Sequence, residues 1–185
     1  MYEEWVTLLE FPMYEVNNLG QIKNKKLDRF VAASLTRQNV VKVALVNERG
    51  RFTRSVAVLV AHIFVHGYND IFNTPIHLDG DLTNCEATNL MWRPRWFAYQ
   101  YHRQFTHNQE VMSLIGQAGP IIEVATSMAY YNIFEVATTN GLLMQEINYK
   151  AGLQAVDVLE KKVWPTGQIF EFGNRKTHPL YKSEY

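Results

Sequence analysis

The chain predicts an α+β fold built from short antiparallel strands and a few helices. Three observations carry that prediction. Apolar and polar residues alternate over runs of only a few residues, which is the pattern of half-buried strands. Turn residues interrupt those runs at short intervals, as at Asn18-Leu19-Gly20 and Glu48-Arg49-Gly50. Two stretches, one after Ser55 and one after Pro94, space their apolar residues helically instead.

The elements follow in chain order. "YEVNNLGQIKN" predicts two strands joined at Asn18-Leu19-Gly20, and "VVKVALVNERGRFTRSV" predicts a second hairpin with Val41, Val43 and Leu45 on one face. Ser55 is placed to cap a helix through about Val65, whose apolar positions are Val56, Leu59, Val60, Ile63 and Phe64. A strand then ends near His77, a polar loop runs from Asp79 to Thr88, and "NLMW" resumes extended structure. Pro94 suits the first turn of a further helix. Along it, Trp96, Tyr99 and Arg103 fall on one side and Phe97, Tyr101 and Phe105 nearer the other. "GQAGP", Gly116 to Pro120, reads as a linker. Beyond it "NIFEVATTNGLLMQEINYKAG" predicts two helices around Asn140-Gly141, with Asn132 as N-cap. "VWPTGQIFEF" predicts a closing hairpin turning at Pro165-Thr166-Gly167.

Composition narrows the classes of function. Apolar residues at 47% and charged residues at 19% are ordinary for a soluble globular chain, while 13% aromatics point to an aromatic-rich core or interface. The formal net charge is zero, which lowers the expectation of nucleic-acid binding without excluding a basic face, because neutralised phosphates supply most non-specific affinity. The segment from Val111 onward holds six Lys or Arg against seven Asp or Glu, so it is no basic tail. Cys85 is the sole cysteine and rules out a disulfide within the chain. The N-terminus carries acids rather than a basic region followed by an apolar run, so no signal peptide is expected. The apolar run near Val56 to Val65 is too short for a membrane span, and no membrane partner is expected.

Certain motifs go further. "EEWVTLLEFPMYEVNNLGQIKN", with its tryptophan, its Phe11-Pro12 pair and its Tyr-Glu-Val-x-Asn-x-Gly run, resembles the nuclease-associated modular domain (NUMOD) at the front of many phage HNH homing endonucleases. "VLVAHIFV" resembles the helix after it, and "IHLDGDLTNCEATNLMW" resembles the HNH motif itself. The last third is weakly similar to the helix-turn-helix modules such nucleases carry. The resemblance implies a NUMOD-like β-rich domain over 1–54 and an HNH-like ββα finger over 55–115. It further implies a small helical C-terminal module, helix-turn-helix-like with a terminal hairpin, over 120–185.

The resemblance also implies roles for single residues. His77 matches the general base and Asn89 the asparagine that orients it. The family's cation, Mg²⁺ or Mn²⁺, wants oxygen ligands. One ligand should directly precede the histidine, where this chain has Ile76, and another should lie about six residues past Trp92, where it has Ala98. Neither side chain has a lone pair to donate. Ala57 stands where the preceding helix usually carries a histidine, and Pro94 where a threonine is frequent. Asp79, Asp81 and His102 are other candidate ligands, but none falls at the matched positions.

The expectation is therefore a degenerate HNH site with no metal cofactor, in a protein that acts as a structural or binding module. Its partners would be other phage proteins in an assembly, in the host cytoplasm during infection or in the virion as a capsid, neck or tail component. Two alternatives stand beside it: an active HNH homing-type endonuclease using Mg²⁺ or Mn²⁺, and a DNA-binding protein that does not cleave. The second alternative calls for a basic face joining Lys23, Lys25, Lys26 and Arg29 to Arg93, Arg95 and Arg103. Arg93, Arg95 and Arg103 interleave with aromatics and suit either phosphate or a protein partner. Gln145, Asn148 and Lys150 would be the base or phosphate contacts of the second C-terminal helix. Asp79-Gly80-Asp81 is expected to make a turn, and Trp92, Trp96 and Phe97 to pack in a core or interface.

Overall fold

A computed structural model describes residues 2–105, 121–144, 160–163 and 167–172. The chain divides into two compact units, Met1–His102 and Arg103–Tyr185.

The first unit opens with an antiparallel meander of four strands, β1 (Trp5–Thr7), β2 (Tyr14–Asn17), β3 (Ile22–Asn24) and β4 (Arg29–Phe30). The β2–β3 hairpin forms where it was expected. Gly20 holds its turn at φ 84, a backbone region that glycine enters without steric cost. The Asn17 side-chain oxygen accepts from the Leu19 and Gln21 N–H groups and fixes that turn locally.

A three-stranded meander follows, β5 (Ala33–Leu35), β6 (Val41–Asn47) and β7 (Gly50–Ser55). Val43 and Leu45 are buried, as their alternation predicts, and face Arg54 and Phe52 across the ladder. The other face of β6 and β7 carries Lys42, Ala44, Val46, Arg51, Thr53 and Ser55, with Ser34 of β5 beside Lys42. Helix α1 (Val56–Phe64) leaves β7 directly. Ser55 is its N-cap residue, but the hydroxyl makes no capping bond. The helix is held instead by burial of Val56, Ala57, Val60 and Ala61.

Strands β8 (Thr74–His77) and β9 (Leu90–Arg93) pair antiparallel across a long polar loop, and α2 (Arg95–Arg103) follows. That is the ββα arrangement implied above. One apolar core joins β2, β3, β6, α1 and β9: Val16 and Ile22 meet Val43 and Leu45, Val56 and Val60, and Leu90 and Trp92, with Phe11 from the turn before β2. The Trp92 indole N–H donates to the Val65 carbonyl at 3.0 Å and ties β9 to the end of α1.

The second unit holds β10 (Ile121–Glu123), β11 (Ala129–Tyr130), α3 (Ile133–Asn140), β12 (Glu160–Val163) and β13 (Ile169–Phe172). Its four strands form an antiparallel sheet in the order β11-β10-β13-β12. The expected terminal hairpin is β12–β13. The pairing of β13 with β10 was not foreseen from sequence, because it joins segments almost fifty residues apart. Helix α3 has the expected N-cap, with the Asn132 oxygen accepting from the Glu135 N–H at 2.8 Å. Gly141 ends it in the left-handed conformation, φ 61 and ψ 49. The second helix expected after this turn, and with it Gln145, Asn148 and Lys150, lies outside the described residues. No helix among the described residues is long and apolar enough to cross a membrane.

Candidate functional site

Extended pairing positions the residues before the loop. His77 stands opposite Leu90, Ile76 opposite Met91 and Pro75 opposite Trp92. Past His77 the chain turns sharply, with the Gly80 N–H donating to the His77 carbonyl at 3.0 Å. Asp79 then organises the loop. Its Oδ1 accepts from the Asp81 N–H and from Asn89 Nδ2, and its Oδ2 accepts from Asn84 Nδ2. Asp81 in turn accepts from the Thr83 N–H and hydroxyl, which hold its carboxyl below the usual range. Asp79-Gly80-Asp81 is thus a turn whose carboxylates are engaged in local bonds.

Asn89 braces this loop. Its Oδ1 accepts from the Asp79 N–H at 3.0 Å, and its Nδ2 donates to Asp79 Oδ1 and to the Asn84 carbonyl, both at 2.9 Å. Both amide hydrogens are spent on the loop. The His77 imidazole is not among its partners. Both His77 ring nitrogens are buried without a hydrogen-bond partner, on a residue only 4% exposed. Burial and the neighbouring His102 push the His77 pKa down to about 4, against a weaker opposing pull from Asp79 and Asp81.

Helix α2 closes over the strands. The Tyr101 hydroxyl donates to the Leu78 carbonyl at 2.8 Å and locks the helix to the residue after His77. Its burial raises the phenol pKa, so Tyr101 remains a donor. One turn beyond Ala98, His102 sets its ring 5.6 Å from that of His77, and its Nε2 accepts from the His77 backbone N–H at 3.3 Å. From sequence, Tyr101 falls only on the apolar side of α2. An aromatic at helical spacing reads as core, and its hydroxyl contact depends on the strand opposite.

The matched ligand positions are apolar. Ile76 is 0% exposed and Ala98 is 3% exposed. Among the described residues, no three His, Cys, Asp or Glu side chains converge where an ion could be held. The site therefore does not fit a hard, oxygen-seeking cation.

The basic residues differ in exposure. Arg93, expected at a contact surface, is only 8% exposed: its Nη1 donates to the Trp92 carbonyl and its guanidinium lies 6.0 Å from the centre of the Phe97 ring. Trp92 and Phe97 are core residues, whereas Trp96 is 65% exposed. Arg95 and Arg103 are exposed on α2. Lys23 is paired with Asp28.

A second feature is hidden by the total charge. Residues 23–54 hold nine Lys or Arg against two acids, and the rest of the chain holds nine against sixteen. The zero total conceals this partition, and charge counted over short windows would have exposed it. Lys25, Lys26, Arg29, Arg37, Arg49 and Arg51 of that segment are all exposed.

Comparison with known proteins bears on this geometry. No family model matches the chain. It is 32% identical over 92 residues to an uncharacterized HNH endonuclease of Acanthamoeba polyphaga mimivirus, a match covering 50% of this chain and 27% of that protein. A second uncharacterized HNH endonuclease of the same virus is 32% identical over 85 residues, covering 46% of this chain and 21% of the relative. The chain thus spans about a quarter of the length of these curated relatives. Among solved structures it superposes on the HNH homing endonuclease I-HmuI, described for DNA binding and cleavage. That match has a TM-score of 0.50 at 19% identity, over 92% of this chain and 98% of the other. The fold is that of an HNH homing endonuclease. Within the HNH fold, β8, the polar loop, β9 and α2 make up the ββα finger, and His77 ends its first strand.

Proposed function

We infer that this chain is a catalytically silent HNH-fold protein that serves as a binding module. One observation carries the reading: the two positions matched to the ligands of a catalytic cation are a fully buried isoleucine and a buried alanine. A catalytic cation contributes several kcal/mol of transition-state stabilisation, and each ~1.4 kcal/mol is tenfold in rate. Asn89, whose family role is to orient the histidine, is committed to Asp79 and Asn84. His77 and Asn89 persist as parts of the scaffold. Trp5, Phe11-Pro12 and the Tyr14–Gly20 run make up the NUMOD-like front of the chain. The viral source of both relatives supports a viral setting. A place among phage proteins, in the host cytoplasm or the virion, is the finer form of this reading.

A second reading names double-stranded DNA as the partner, bound without cleavage. The charge partition favours it, since residues 23–54 gather half of the chain's cations and two of its eighteen acids. The DNA binding described for I-HmuI, whose fold this chain shares, supports it as well.

The test is plasmid nicking with Mg²⁺ and with Mn²⁺, comparing the native protein with the Ile76→Asp, Ala98→Asn double variant. The native protein stays silent and the double variant gains nicking. Nicking by the native protein that disappears in His77→Ala would overturn the reading.

A further inference from the structure

Strand β5 is an outer strand of its sheet, whose order is β5-β6-β7, and among the described residues no strand lies beyond it. Its three residues, Ala33, Ser34 and Leu35, are all exposed. In an antiparallel ladder, residues that exchange hydrogen bonds alternate with residues that do not. The turn into β6 sets the phase, because the Thr36 N–H donates to the Val40 carbonyl at 3.0 Å. Two residues back, Ser34 therefore exchanges bonds with Lys42, its register partner. The N–H and C=O groups of Ala33 and Leu35 point the other way, out of the sheet edge. Such an edge is a template for another extended chain, and folded proteins blunt it with proline or with charge on the strand itself. Ala33-Ser34-Leu35 carries neither.

The side chains define what would fit there. Ala33 and Leu35 share the core face of the sheet with Val43 and Val41, and Leu35 is 61% exposed on it. Ser34 shares the opposite face with Lys42, and β5, β6 and β7 contain no acid. An added strand continues both faces with a period of two. Its alternate residues lie beside Leu35, where an apolar group gains cover, and beside Lys42, where a carboxylate gains a cation. Arg29 and Arg37, both exposed, flank β5 in sequence, while Asp28 is already paired with Lys23. A second copy of this chain would set its own nine cations and two acids of residues 23–54 against the first. A DNA duplex has no amide backbone to pair with the edge.

We propose that the β5 edge is a docking site for an extended segment of a partner protein in which acidic and apolar residues alternate. The segment adds as a fourth strand to the sheet. Main-chain bonds to Ala33 and Leu35 hold it, and the alternation of its side chains selects it. The inference rests on the reading of this chain as a binding module and names the chemistry of its partner. It uses the strand edge, whereas the DNA reading uses the outer face of β6 and β7.

The probe is a fluorescent synthetic peptide of alternating Glu and Val, titrated with the full chain and followed by anisotropy. Two peptides are compared with it: its block-ordered isomer, all Glu and then all Val, and the same alternating peptide with every backbone nitrogen methylated, which leaves it no donor. The alternating peptide should bind, and each comparison peptide should bind more weakly by at least about tenfold, the worth of one net hydrogen bond. Ala33→Pro removes only an outward N–H, and Leu35→Lys puts a charge on the edge. Both should weaken binding to the same degree, with circular dichroism unchanged. If either variant fails to fold, the three peptides on the native protein still decide. The inference is overturned if the native protein does not bind the alternating peptide, binds the block-ordered isomer equally, or ignores N-methylation. Binding untouched by both variants overturns it as well. Duplex DNA that displaces the peptide and is itself lost in Ala33→Pro would give the edge to DNA instead. None of these results touches the silent-module reading, which fails only on nicking by the native protein that depends on His77.

Discussion

At the scale of single residues, His77 is an imidazole held in a place that disfavours its charge. Its pKa falls from 6.5 to about 4 on folding, mainly through burial. The unfolded chain therefore takes up the proton first as pH falls. Stability from this group is complete above pH 6.5 and declines towards pH 4, by about 3 kcal/mol at the lower end. His102 acts in the same direction. Urea unfolding with EDTA present, repeated between pH 7 and pH 4.5, should show this decline in the native protein and a flatter profile in His77→Gln. Equal slopes would mean that His77 is not buried as described. His77 itself was legible in the sequence as the motif's histidine. Its orphaned ring was not, because that depends on Asn89 turning to Asp79 and on α2 bringing His102 alongside.

At the scale of elements, the turn between β2 and β3 is fitted to the finger. A Cβ added at Gly20 would lie 3.0 Å from the Cys85 Cβ and 3.2 Å from the Cys85 carbonyl oxygen, on a backbone at φ +84. The Ala87 N–H also donates to the Asn18 carbonyl at 2.8 Å. The N-terminal meander and the finger loop are thereby one packed body. Gly20→Ala should cost about 1–3 kcal/mol, from left-handed strain and from crowding against Cys85. The expected signature is a lower urea midpoint with an unchanged m-value. An unchanged midpoint would show that this contact carries no stability. The β2–β3 and β6–β7 hairpins, α1 and the N-cap of α3 were readable from turn chemistry and periodicity, which act within a few residues. Strands β10 and β11 were not, because their signal lies in a partner strand far along the chain.

At the scale of the whole molecule, charge is unevenly distributed while its total is zero. If the DNA reading holds, affinity for duplex DNA falls steeply as salt rises, with a log–log slope of about −0.9 per phosphate neutralised. The cations on the outer face of β6 and β7 give the sharpest probe. Lys42→Glu with Arg51→Glu should weaken binding and make the slope shallower, while the native unfolding midpoint is retained because neither residue belongs to the core. Binding that ignores salt, or is untouched by the double charge reversal, would shift the case towards a protein partner.

By itself the sequence determined the local geometry: where the chain turns, which strands alternate, which residues cap α3, and that Ile76 and Ala98 have no lone pair to offer an ion. Those properties belong to neighbours in the chain or to the atoms of one side chain. Only the tertiary structure decided that Arg93 turns inward, that Asn89 serves the loop rather than His77, that Tyr101 locks α2 to Leu78, and that two histidines twenty-five positions apart meet. Each of those outcomes depends on which side chains a folded core brings within a few ångströms, and sequence spacing carries no record of that distance.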